Sequence, residues 1–249
     1  MNLIEPAKRF GHVFADGSTR LRTLLRDAKG GEVRPKALED CLTGWGKSAL
    51  RIMKLDLHVS GKPSETPVLF VGNHISYLDI PVLMSQASIM FVAKREVGRW
   101  PVFGTAVRKL GMVMVDRNSS GSRQRAQEAV ADCILKKRRH VAIFPSGTTR
   151  LYEEIPWRWG AFQIAQEYGI KIQPFRLRYE PARAVAYLMD DVFVPHLWRL
   201  LGHEKLSGWL EFHEPVAVKD PEKECKQWWE WSRATETVIA RSETTKQSQ

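Results

Sequence analysis

Val68-Leu69-Phe70-Val71-Gly72-Asn73-His74-Ile75-Ser76-Tyr77-Leu78-Asp79-Ile80-Pro81 runs from an unbroken apolar stretch through a polar loop to a proline. Consecutive apolar residues without alternation fit a strand buried on both faces, as in a largely parallel sheet. Proline is tolerated only in the first turn of a helix, so a helix should start near Leu78 or Asp79 and leave His74 in the loop before it. Strand, loop and helix in that order are the unit of an α/β fold.

The same alternation continues outward. Short apolar runs at Ile89–Ala93, Met112–Val115, Val141–Phe144 and Ile170–Leu177 are separated by helical stretches, of which Ser122–Lys137 is the clearest. Val185–Leu188 and Trp209–Phe212 are expected to extend the sheet. Upstream, Leu38, Cys41, Leu42, Trp45, Ala49, Ile52 and Met53 recur at helical spacing, with Lys47, Arg51 and Lys54 between them. The fold class is therefore α/β, a mostly parallel central sheet flanked by helices, with an N-terminal helical appendage. Residues 1–60 form the arm, 61–241 the main domain, and the polar stretch 242–249 is expected to be a disordered tail.

Composition narrows the setting. The 249 residues carry a formal net charge of +10, which draws the surface to polyanions such as phospholipid headgroups or phosphorylated substrates. Cys41, Cys133 and Cys225 are scattered and form neither a disulfide framework nor a metal-ligand cluster, which suits a reducing cytosol. No stretch of about 18 apolar residues is present, so no spanning helix is expected. The basic run Lys136-Lys137-Arg138-Arg139 follows a helix and suits its dipole, and no nucleic-acid-binding motif accompanies it.

His74 and Asp79 lie five apart, and on a continuous helix they would point about 140° away from each other. They meet only if the loop turns. An ionised carboxylate bonded to one imidazole nitrogen leaves the other free to accept a proton from a hydroxyl. Read alone, the pair is equally a satisfied loop histidine beside a helix cap. Further polar groups stand at the ends of other strands, where open α/β sheets bind ligands. Lys94 closes one run, and Gly111 to Val115 deliver Asp116 and Arg117, the latter suited to clamp a phosphate. Phe144-Pro145-Ser146-Gly147-Thr148-Thr149-Arg150 supplies backbone amides, hydroxyls and a second arginine. Trp157 to Phe162 either lines an apolar groove beside this edge or belongs to the core.

These blocks, in order, resemble those of the glycerolipid acyltransferase family that includes the 1-acyl-sn-glycerol-3-phosphate acyltransferases. Asn73 to Asp79 look like its N-H-x-S-x-x-D block, Gly111 to Arg117 like G-x-x-x-x-D-R, and Phe144 to Arg150 like F-P-E-G-T-R. Ile172-Gln173-Pro174 is similar to its fourth block, and His213 to Val216 to a late strand. The resemblance implies an O-acyltransferase in which His74, oriented by Asp79, deprotonates the hydroxyl of a lysophospholipid such as 1-acylglycerol 3-phosphate, which attacks a thioester directly. The donor implied is acyl-CoA or acyl-carrier protein, with no cofactor and no metal. Asn73, Ser76, Lys94, Arg117, Ser146, Gly147, Thr148 and Arg150 are the implied substrate-binding residues. Ser146 stands where the family has glutamate, and Thr149 displaces the arginine by one place. Both changes open the acceptor to lysolipids other than 1-acylglycerol 3-phosphate, such as an amino-acid lipid precursor. Ser146 as a hydrolytic nucleophile is a rival reading, but no G-x-S-x-G elbow surrounds it. A non-catalytic binder of anionic surfaces is another. The implied partners are the lysolipid, the acyl donor and a membrane surface, not nucleic acid. Peripheral attachment is expected at the cytoplasmic face, through basic and tryptophan-bearing surfaces including Trp228, Trp229 and Trp231.

Overall fold

Unbroken apolar runs become strands and periodic stretches become helices in a computed structural model that describes residues 4–28, 33–94, 110, 112–115 and 121–246. Helices α1 (Ile4–Asp27) and α2 (Pro35–Ile52) precede β1 (Leu55–Ser60), β2 (Leu69–Gly72), α3 (Asp79–Met84), β3 (Ile89–Lys94) and β4 (Val113–Val115). Then come α4 (Ser122–Leu135), β5 (His140–Ile143), α5 (Gly160–Glu167) and β6 (Lys171–Glu180). The remainder is α6 (Ala182–Val185), α7 (Phe193–Leu201), β7 (Leu206–Phe212), β8 (Val216–Ala217) and α8 (Pro221–Lys246).

The strands lie in the order β1-β7-β6-β2-β5-β3-β4. From β6 to β4 every neighbouring pair is parallel, whereas β7 runs antiparallel to β6 and parallel to β1. The short β8 pairs with the start of β6. Helices cover both faces of the central strands, so Leu69, Phe70, Val71, Ile89, Met90, Val141 and Ile172 are fully buried. Each such side chain contributes about 1.5–3 kcal/mol on leaving water, which explains why the run beginning at Val68 lies in the middle of the sheet.

Because β2, β5 and β3 are adjacent and parallel, their carboxyl ends share one edge. The loops that begin at Asn73 and Phe144 are therefore neighbours despite 70 intervening positions. The α1 and α2 pair packs over this edge. Its anchor is Arg9, 6% exposed, whose Nη1 donates to the carbonyls of Leu201 and His203 at 2.8 Å each, just beyond the carboxyl end of α7. A guanidinium there satisfies orphaned carbonyls and complements the helix dipole.

The sheet departs from expectation at two places. Val185–Leu188 is not a strand: Val185 ends the single turn α6, and the following chain is spent on loop contacts, with the Tyr187 amide donating to the Ile75 carbonyl at 3.0 Å. Leu55–Ser60, within the stretch assigned to the arm, is a strand paired with β7. Its signal is the alternation of Leu55, Leu57 and Val59 with Asp56 and His58, the period of a half-exposed strand. The last helix, α8, runs on into the stretch read as a polar tail.

Candidate active site

The loop after β2 turns as Pro81 demands. The Asp79 amide donates to the Ser76 carbonyl, and α3 starts at Asp79. This turn brings the two side chains together: His74 Nδ1 lies 2.7 Å from Asp79 Oδ2. The same oxygen accepts the amides of Ile75 at 2.7 Å and Ser76 at 3.0 Å, while Oδ1 accepts the Tyr179 hydroxyl at 2.8 Å. Asp79 is fully buried, and these four donors are what make a buried carboxylate tolerable. An ionised carboxylate only accepts, so the contact suits the tautomer with its proton on Nδ1.

His74 stacks on Phe144, ring centroids 3.9 Å apart and planes 10° apart. The stack sets the plane of the imidazole, and the aromatic face favours it once it becomes cationic. Behind the loop, Asn73 is buried and tied both ways to Leu177 of β6: its Nδ2 donates to the carbonyl at 2.8 Å, and its Oδ1 accepts the amide at 2.7 Å. Ser76 is fully buried and enters the site through its backbone amide. Both side chains, expected among the substrate contacts, are turned into the protein: that of Asn73 ties the loop to β6, and the Ser76 hydroxyl is buried without a hydrogen-bond partner among the described residues.

The loop after β5 provides the opposite wall. Gly147 has φ of 72°, a left-handed conformation that disfavours a side chain, and its amide donates to the Phe144 carbonyl at 3.0 Å. The Ser146 hydroxyl donates to the Thr148 carbonyl at 3.0 Å, a local turn bond. The Arg150 amide donates to the His74 carbonyl at 2.8 Å, joining the two loops. Arg150 Nε is buried without a hydrogen-bond partner among the described residues. Lys94 closes β3, its backbone registered against Val115 of β4. Arg117, with Gly111 and Asp116, lies outside the described residues.

His74, Phe144, Gly147, Thr148 and Thr149 line one part of a cavity of about 530 Å³. Val13 and Phe14 of α1 and Leu42, Trp45 and Ala49 of α2 line another. A predominantly apolar space of this size with a few convergent polar groups is how a ligand site is built. His74 thus borders a lining that is mostly hydrocarbon. Trp157 and Phe162, by contrast, are core residues and do not line this space.

Two contributors carry no local signal in the sequence. Glu153, 2% exposed, accepts Trp157 Nε1 at 2.6 Å on Oε2 and lies 3.5 Å from the His74 amide on Oε1. Its carbonyl accepts Trp229 Nε1 at 3.0 Å, so α8 is tied to the loop beneath the histidine. Tyr179 is foreshadowed only as a buried position, by its alternation with Phe175 and Leu177 along β6.

The general acyltransferase family model matches residues 56–178. The chain is 33% identical over 193 residues to a lyso-ornithine lipid O-acyltransferase of Pseudomonas aeruginosa, covering 75% of this chain and 73% of that one. It is 32% identical over 203 residues to a 1-acyl-sn-glycerol-3-phosphate acyltransferase of Neisseria gonorrhoeae, covering 79% and 77%. The crystal structure of PlsC, a 1-acyl-sn-glycerophosphate acyltransferase from Thermotoga maritima, shares the fold with a TM-score of 0.71 at 20% identity, over 96% of this chain and 98% of that one. The chain belongs to the acyltransferase family, as an O-acyltransferase.

Proposed function

We propose that the chain moves a fatty acyl group from the thioester of CoA or acyl-carrier protein to the hydroxyl of a lysolipid, with His74 Nε2 as general base. The observation that carries this reading is the 2.7 Å contact between His74 Nδ1 and a fully buried Asp79, opening on an apolar cavity. The hydroxyl proton passes to Nε2 as the oxygen attacks the thioester carbonyl. The carbonyl carbon–sulfur bond then breaks, the imidazolium returns the proton to the departing sulfur, and an ester and a thiol result. Asp79 stabilises the imidazolium that develops. Arg150, whose backbone amide joins its loop to that of His74, and Arg117 are assigned the anionic part of the lysolipid.

The acceptor favoured is a lyso-ornithine lipid, because Ser146 removes a carboxylate from the turn that faces it and a relative named for that acceptor is 33% identical. The second reading, 1-acylglycerol 3-phosphate, is favoured by the relative from Neisseria gonorrhoeae. Purified enzyme offered both acceptors with acyl-CoA and with acyl-carrier protein, its products read by mass spectrometry, separates the two. Diacylated ornithine lipid is expected, and Ser146→Ala should retain ester formation, since that hydroxyl bonds its own turn at the Thr148 carbonyl. Free fatty acid that depends on Ser146 would instead mean hydrolysis.

The site is proposed to work at the cytoplasmic face of a membrane, as a peripheral attachment. Among the described residues no helix is long and apolar enough to cross a bilayer. The tryptophans of α8 are turned to the protein: Trp228 is buried against His213, and Arg176 and Arg233 cover Trp231 and Trp229. Among the described residues the exposed apolar side chains include Ile155 and Trp159 and, before and within α7, Met189, Val192 and Val194. Flotation with vesicles containing anionic lipid is expected. Because a buried apolar side chain is worth about 1.5–3 kcal/mol, Met189→Ser combined with Val192→Ser should weaken vesicle binding at least about tenfold. Unaltered flotation of this variant would move the contact elsewhere.

A further inference from the structure

Asp79 divides its two oxygens unequally. Oδ2 takes three N–H donors, from His74, Ile75 and Ser76, whereas Oδ1 takes one, the Tyr179 hydroxyl at 2.8 Å. The carboxylate torsion is intrinsically broad and nearly two-fold, so the loop alone does not hold it in one setting. Tyr179 is rigidly placed to do so. It sits in the long strand β6, is 1% exposed, and pairs in register with Gly208 of β7. The missing side chain of Gly208 makes room for the ring, since a Cβ there would lie 3.3 Å from both Cδ1 and Cε1 of Tyr179.

We propose that Tyr179 is a positioning residue for the acyl transfer: its hydroxyl pins Asp79 Oδ1 so that Oδ2 stays aimed at His74 Nδ1, and Gly208 provides the space this requires. Burial, followed by the neighbouring Asp79 charge and its hydrogen bond, pushes the phenol well above its ordinary range, so it remains protonated and a donor at any working pH. Tyr179 reaches no substrate. It acts through Asp79 on the imidazole, and the inference rests on the reading of His74 as the base.

Tyr179→Phe removes the donor and keeps the ring. Loss of a hydrogen bond to a buried charge predicts a kcat lower by about 10- to 100-fold, with KM for both substrates unchanged. The accompanying readout is the downfield proton NMR signal of His74 Nδ1–H in histidine-labelled protein, identified by its absence in His74→Ala. It should shift in Tyr179→Phe, a change that a purely structural contribution to packing would not cause. Gly208→Ala, which retains the hydroxyl but crowds the ring, should lower kcat and shift the same signal, so the test survives if Tyr179→Phe folds poorly. An unchanged kcat, or a lowered kcat with the signal unmoved, overturns the proposal. Near-normal turnover by His74→Ala would instead overturn the reading of the base, while the signal would still report whether Tyr179 governs the dyad.

Discussion

Replacing His74 with alanine is expected to lower kcat by about 10²–10⁴, the range that a positioned general base contributes, while leaving KM for the thioester little changed. The variant should fold. Asp79 would still receive the amides of Ile75 and Ser76 and the Tyr179 hydroxyl, so its buried charge keeps three donors. The vacated volume opens on the cavity rather than inside the core, because the imidazole is 19% exposed. A steady-state assay alongside a thermal melt checks both statements. Turnover near the parent's rate would remove His74 as the base.

Asp79→Asn is expected to cost nearly as much, on the order of 10³–10⁴ in kcat, by a different route. The amide can direct its oxygen at the three N–H donors that now meet Oδ2 and its nitrogen toward Tyr179, whose hydroxyl can rotate to accept. Geometry is then kept and only the negative charge is lost. The imidazolium that forms as the hydroxyl proton arrives is no longer stabilised. Asp79→Ala should be worse for folding: it strands the buried amides of Ile75 and Ser76, at about 1–3 kcal/mol for each unsatisfied donor. The two variants therefore separate charge from structure, Asn losing rate with a melting temperature close to the parent's and Ala losing both. An Asn variant with parental kcat would show that the charge is not used.

The residues from Val68 to Pro81 specify their own conformation to a large degree. The apolar run has nowhere to go but the middle of a sheet, and Pro81 confines the helix start, so the turn that joins His74 to Asp79 is a local property. The same holds for Gly147, whose positive φ marks the tight turn after β5. Local patterning is also enough for the helices α2 and α4, whose periodicity survives translation into structure almost unchanged. It failed at Val185–Leu188, where backbone groups are claimed by Ile75 and Thr149 rather than by a neighbouring strand, a competition no periodicity records.

Hydrophobic period and proline chemistry act over a few residues, so the mostly parallel sheet, the order of its loops and the turn that brings His74 to Asp79 are already legible in the sequence. Only the tertiary structure decided which polar side chains face the ligand space and which serve the scaffold. Asn73 and Ser76 stand in the loop of His74 yet are buried, Glu153 and Tyr179 come from distant segments to support it, and the tryptophans of α8 pack against the protein. Those outcomes depend on the register of β6 against β2 and β7 and on where α8 lands. Buried polar groups must find partners wherever the fold brings them.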